Sequence, residues 1–148
     1  MLEQGERKVH VGIVIVTHVD YGATLLKAAE HILGPVQDCA AIQVDINNDV
    51  AETVQRLNDA VARLDTGMGV LLLTDMFGGT PTNISLSLLG KGRNVEVITG
   101  VNLPMLLKVL GNRRKSMEEL APLACEAGRE GIAVAGDLLR QKSKKADS

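Results

Sequence analysis

Hydrophobic residues fall in two textures along the chain. Val11-Gly12-Ile13-Val14-Ile15-Val16 and Gly69-Val70-Leu71-Leu72-Leu73-Thr74 are short, nearly continuous apolar runs. That is the pattern of parallel strands covered on both faces. Elsewhere the spacing turns helical: Val50, Val54, Leu57, Val61 and Leu64 recur at intervals of three and four, so one face of a helix packs on a sheet. Together the patterns predict strands over about Val9–Thr17, Ala40–Asp45, Gly69–Thr74 and Val95–Thr99. They predict helices over Tyr21–Leu33, from Asp49 to Leu64, from Thr80, from Asn102 to Leu110, and from Ser116 to Gly128 or Gly131.

Start and stop signals support those limits. Gly34-Pro35 closes the first helix. Asp49 with Glu52, and Ser116 with Glu119, resemble capping boxes. Thr80-Pro81 reads as a hydroxyl N-cap followed by a proline at the first helical position, and Gly90-Lys91-Gly92 ends that helix. Ile132-Ala133-Val134-Ala135 either continues the last helix or forms a final strand, and periodicity does not decide between them. Arg140 to Ser148 is a polar, lysine-rich tail expected to fray. The implied fold is α/β: an open, doubly wound sheet of four parallel strands in order 2-1-3-4, flanked by helices. One domain is expected over residues 9–139, between a flexible N-terminus at 1–8 and a flexible tail at 140–148.

Composition narrows the function. The chain has 148 residues and a formal net charge of −2, so no strongly basic face is implied and nucleic acid is not an expected partner. Tyr21 and Phe77 are its only aromatic residues, which argues against a base-stacking or sugar-stacking platform. No apolar stretch has the length of a membrane span, and Met1 to Lys8 carries no signal-peptide core, so a cytoplasmic location is expected. Cys39 and Cys125 lack CxxC partners and read as buried free thiols. Three dispersed histidines without a matching carboxylate cluster do not make a metal site, and no cofactor is expected. P-loop, dinucleotide-binding and hydrolase-elbow motifs are absent.

The candidate chemistry lies at strand ends. His18 closes the first apolar run and Asp75 follows the third strand, and in order 2-1-3-4 these strands are neighbours at the switch point. The two side chains are therefore expected side by side. A carboxylate that accepts the proton on one ring nitrogen fixes the tautomer and leaves the other nitrogen nucleophilic. Gly78-Gly79-Thr80-Pro81 then lets backbone approach an anion closely, with Thr80 able to donate its hydroxyl. The pattern suggests a phosphohistidine site. The plainer readings are a loop-bonding histidine, an Asx turn at Asp75, and a simple cap at Thr80. Phe77, beside Met76, is either core or an exposed anchor for a docking protein. Asn102 reads as a helix cap first and a site-wall residue second. His10, at the opposite end of the first strand, reads as structural, and His31 as solvated.

Three segments carry a family resemblance: Val14-Ile15-Val16-Thr17-His18, Asp75-Met76-Phe77-Gly78-Gly79-Thr80-Pro81-Thr82-Asn83, and Gly100-Val101-Asn102-Leu103-Pro104-Met105. In this order they resemble the enzyme IIA component of the mannose/fructose/sorbose class of the bacterial phosphoenolpyruvate-dependent sugar phosphotransferase system. The likeness runs from Val9 to Gly131. It implies that His18 accepts a phosphoryl group from the phosphocarrier HPr and passes it to a IIB protein. Asp75 would orient His18, Thr80 would contact the phosphoryl group, and Gly78-Gly79 would line the pocket. Met76, Phe77 and Asn102 are the expected docking residues. The resemblance also implies a homodimer that exchanges a C-terminal strand, which would make Ile132 to Leu138 that strand. Contact with a membrane would come only through IIC and IID subunits. The family usually has a small residue directly after the histidine, whereas this chain has Val19. A regulatory phosphotransfer module without transport, the phosphotransfer subunit of a dihydroxyacetone kinase, and a flavodoxin-like binding domain are the alternatives.

Overall fold

The computed structural model describes residues 8–45, 47 and 49–147. The chain alternates strand and helix: β1 (Gly12–His18), α1 (Tyr21–Leu33), β2 (Cys39–Val44), α2 (Val50–Leu64), β3 (Val70–Thr74), α3 (Thr80–Leu86), β4 (Val95–Thr99), α4 (Leu103–Leu110), α5 (Met117–Glu130) and α6 (Ala135–Asp147). The four strands form one parallel sheet in the order β2-β1-β3-β4, as the sequence implies.

The continuous apolar runs are explained by the two covered faces. Successive side chains of a strand point to opposite faces, so β1 serves two cores. Ile13 and Ile15, with Leu71 and Leu73 from β3, pack with Ala29 of α1, Leu106 and Val109 of α4, and Leu120 and Ala124 of α5. Val14 and Val16, with Val70 and Leu72, pack on Leu57, Val61 and Leu64 of α2 and Ile84 of α3. The two central strands therefore have no polar face, while the edge strands β2 and β4 carry partly exposed positions.

Caps follow the expected chemistry where the side chain can reach. Asp49 accepts from the Ala51 N–H at 3.0 Å, Asn102 from Met105 at 3.0 Å, and Ser116 from Glu119 at 3.3 Å. Thr80 is a correction. Gly79, in extended backbone, holds the N-cap position of α3, and Thr80 is the first helical residue with no capping bond. The cause is the Asn83 N–H, which closes the first turn on the Gly79 carbonyl at 3.0 Å. α3 also ends before the expected glycines: beyond Leu86 the chain tightens, with Leu88 and Leu89 bonded three residues back and Ser87 Oγ bonded to the Ile84 carbonyl.

The C-terminal segment departs from the strand that the resemblance implies. Residues 132–134 have no regular structure, and α6 takes residues 135–147, so the tail expected at 140–148 lies on this helix up to Asp147. Within one chain no sheet edge pairs this segment. Its Ala, Leu, Arg, Gln and Lys residues are good helix formers that satisfy their amides locally. The N-terminus expected as flexible at 1–8 lies outside the described residues except for Lys8. Both cysteines are free and partly buried rather than fully so. Burial pushes the Cys39 thiol up to about 12, which leaves it protonated and unreactive.

Candidate functional site

Strand register builds the site. Val16 of β1 lies opposite Thr74 of β3, so His18 and Asp75 follow just beyond the last residues paired between these two strands, at the carboxyl end of the sheet. His18 shares strand parity with Val14 and Val16, which turns it toward the α2–α3 face. There it lines a cavity of about 300 Å³ with Val44, Asp45, Val50, Thr53, Thr80 and Ile84.

Asp75 holds His18 twice. Its Oδ2 accepts from the His18 backbone N–H at 2.9 Å and from Nδ1 at 2.7 Å, while its Oδ1 accepts from the Met76 N–H at 3.0 Å. Partial burial of Asp75 disfavours its charge, but the hydrogen bonds from His18 and the charge of a protonated ring outweigh that. The carboxyl sits below its ordinary value. It therefore stays ionised at neutral pH and draws the ring proton to Nδ1. In the neutral ring Nε2 is then left with its lone pair.

The glycine loop completes the setting. A Cβ added to Gly79 would lie 2.9 Å from His18 Cε1 and 3.5 Å from Nε2, so only a residue without a side chain lets this backbone meet the ring edge. Gly78 has φ +87°, the left-handed backbone that glycine adopts without cost. Thr82 anchors the loop: its hydroxyl donates to the Met76 carbonyl at 2.5 Å and shares a 2.7 Å bond with Thr74 Oγ1. A second tie joins the end of β3 to the loop after β4, where Val101 N–H donates to Thr74 O at 2.9 Å and Tyr21 Oη donates to Val101 O at 3.1 Å.

His18, Asp75, Gly79 and Thr80 therefore come together. Phe77 is 76% exposed, which places it on the rim rather than in the core, and Met76 is exposed beside it. Asn102 is elsewhere: besides capping α4, it donates to the Gly128 carbonyl at 2.9 Å and lines a separate cavity of about 140 Å³ with Cys125 and Arg129. It is not among the residues lining the His18 cavity. His10 is buried and bonded to Asp38 at 2.8 Å, and His31 is exposed. Among the described residues, no group of three or more His, Cys, Asp or Glu side chains could hold a metal ion.

Sequence reasoning missed Asp45, Val50, Thr53 and Ile84 in the cavity wall, and Thr82 as the loop anchor. Asp45 had a usable signal, since it stands at the carboxyl end of β2 as His18 does of β1. The others read as ordinary helix positions and become wall residues only through packing.

The comparisons with known proteins agree with one another. A family model described as PTS system fructose IIA component matches residues 12–124. The chain is 39% identical over 124 residues to the PTS system mannose-specific EIIAB component of Escherichia coli (strain K12), an alignment covering 82% of this chain and 38% of that protein. It therefore spans well under half the length of that relative. It is 25% identical over 142 residues to the PTS system fructose-specific EIIA component of Bacillus subtilis (strain 168), covering 88% of this chain and 97% of that one. The crystal structure of phosphotransferase system component EIIA from Streptococcus agalactiae superimposes with a TM-score of 0.77 at 26% identity, covering 86% of this chain and 98% of that one. Among the described residues no helix is long and apolar enough to cross a membrane.

Proposed function

The chain belongs to the family of PTS system fructose IIA components, and on that footing we propose that it is a phosphocarrier that takes a phosphoryl group from phospho-HPr onto His18 Nε2 and hands it to a separate IIB protein. The observation that carries this reading is the 2.7 Å bond from His18 Nδ1 to Asp75, which leaves Nε2 unbonded at an open cavity. In the transfer, the Nε2 lone pair forms a new N–P bond as the donor's own N–P bond breaks. The electron pair of that broken bond returns to the donor imidazole. The proton on His18 Nδ1 stays shared with Asp75, whose charge stabilises the cationic ring as the bond forms. Phosphoryl transfer asks mainly for positioning and charge stabilisation. Thr80 and the backbone of Gly78 and Gly79 supply donors for the phosphoryl oxygens, and Met76 and Phe77 give the partner an apolar rim. Such transfer takes place in the cytoplasm, with the membrane reached only through the sugar-translocating subunits.

The chain also acts as a homodimer in this reading. Ile132, Val134, Leu138 and Leu139 are exposed along the C-terminal segment, and β4 pairs on one side alone among the described residues. A monomer by light scattering at micromolar concentration would remove the dimer.

Intact-protein mass spectrometry after incubation with phosphoenolpyruvate, enzyme I and HPr tests the phosphocarrier role. One acid-labile phosphoryl group is expected on the wild type and none on His18→Ala. Equal labelling of the two would sink the assignment of His18.

A further inference from the structure

The residue directly after the reactive histidine has an unusual backbone. Val19 has φ +44°, and among the described residues Asp38 is the one other non-glycine with positive φ. Aspartate tolerates left-handed backbone, whereas a β-branched side chain crowds its own carbonyl there and is a genuine outlier. The conformation is held by the site itself. Val19 N–H donates to the Val44 carbonyl at 3.1 Å, and the preceding His18 N–H donates to Asp75 at 2.9 Å. A glycine would make the same turn without strain.

The strained residue gains little burial in return. Val19, directly after His18, is 54% exposed, and Met76 and Phe77, directly after Asp75, are exposed too. Met76 Cγ lies within 3.5 Å of the Cβ position of Gly79, the residue against the His18 ring, so Met76 borders the approach to Nε2. Strained backbone persists where the surrounding structure imposes it, and it clusters at active sites and ligand clamps. The Val19 backbone is already fixed, so contact through it loses little entropy on docking.

We propose that Val19 is a specificity-determining contact for the protein that carries the phosphoryl group, forming with Met76 and Phe77 an apolar collar around His18 that seats a partner with an apolar surface beside its own phosphorylated side chain. The proposal rests on the phosphocarrier reading, and the test separates the two. His18 is phosphorylated in parallel by phospho-HPr, which must dock, and by phosphoramidate, a small donor that need not. Val19→Gly removes both the side chain and the strain; Val19→Ala removes the methyl groups and keeps the strain. For both variants the KM for phospho-HPr is expected to rise about tenfold, the equivalent of losing one buried apolar contact. Their kcat and their labelling by phosphoramidate stay at wild-type values, and Val19→Gly melts at or above the wild-type temperature. A wild-type KM in Val19→Gly overturns the proposal and leaves the phosphocarrier reading standing. A parallel fall in kcat and phosphoramidate labelling also overturns it, because Val19 would then serve only to shape the site. Wild-type protein that takes label from neither donor overturns both.

Discussion

Strand β1 and its flanks carry a histidine–aspartate pair at each end, and the two pairs behave as opposites. At the amino end His10 Nε2 meets Asp38 at 2.8 Å; at the carboxyl end His18 Nδ1 meets Asp75 at 2.7 Å. The distances are nearly equal and the surroundings are not. The His10 side chain is 8% exposed, that of His18 45%. The His10 ring is buried and its neighbours are tied down, although a cavity of about 510 Å³ opens beside it. The His10 backbone exchanges bonds with Thr66 Oγ1, and the buried Arg113 guanidinium ties down the carbonyls of Val11, Gln37 and Asp38. Around His18 the bonds to the backbone N–H and to Nδ1 both come from Asp75, and the ring lines an open cavity. In the proposed function, a His–Asp pair serves as a structural rivet or a nucleophile according to which nitrogen is occupied and whether the other can be reached.

The comparison can be broken most sharply at Asp75. Asp75→Asn keeps the shape of the site but loses the charge that steadies the cationic ring, so the transfer rate is expected to fall by about 10²- to 10⁴-fold. Rapid-quench labelling with phospho-HPr measures it, and a wild-type rate would remove Asp75 from the mechanism. The same variant carries a pH signature. The carboxyl of Asp75 in the folded chain lies below its ordinary value. Its ionised form therefore contributes stability that is fully present above that value and lost as pH falls through the lower folded one. The gap in Tm between wild type and Asp75→Asn should narrow as pH falls below about 4; a gap that widens there would contradict the hydrogen-bonding account.

Gly79→Ala should cost less. The new Cβ must push the His18 ring aside, and a misplacement of this kind slows transfer by about tenfold to a hundredfold while the fold survives. Comparison of labelling rate with far-UV circular dichroism checks both halves, and unchanged kinetics would mean that the ring position at Gly79 is not critical.

The smallest effect on chemistry belongs to His10. His10→Ala removes the buried hydrogen bond between His10 and Asp38 and should destabilise the chain by about 2 kcal/mol, or about 5 °C in Tm for a domain of this size. Labelling of His18 should continue at the wild-type rate. Lost labelling in a protein that still melts cooperatively would mean that the two ends of the sheet are coupled.

Much of this was legible in the residues. The runs of β1 and β3 mark buried parallel strands because no polar position interrupts them, and α2 shows its stripe at Val54, Leu57 and Val61. The pairing of His18 with Asp75 follows from strand order alone. The cavity wall was not legible, because Val50, Thr53 and Ile84 look like any helix positions until α2 and α3 pack on the sheet. Thr80 was read as a cap, but competing backbone bonds gave that place to Gly79. The C-terminal segment was ambiguous between helix and strand, since strand formation there needs a pairing edge that local sequence cannot supply.

The sequence by itself determined the alternation of elements and the placing of a histidine and a carboxylate at the carboxyl ends of two strands, because periodicity and strand-end position are local properties. Only the tertiary structure decided which ring nitrogen each histidine keeps free. That choice depends on partners 57 residues away for His18 and 28 away for His10, and on the packing that buries one ring and leaves the other half-exposed. The same holds for the left-handed turn at Val19, which the bonds to Val44 and Asp75 impose against the residue's own preference.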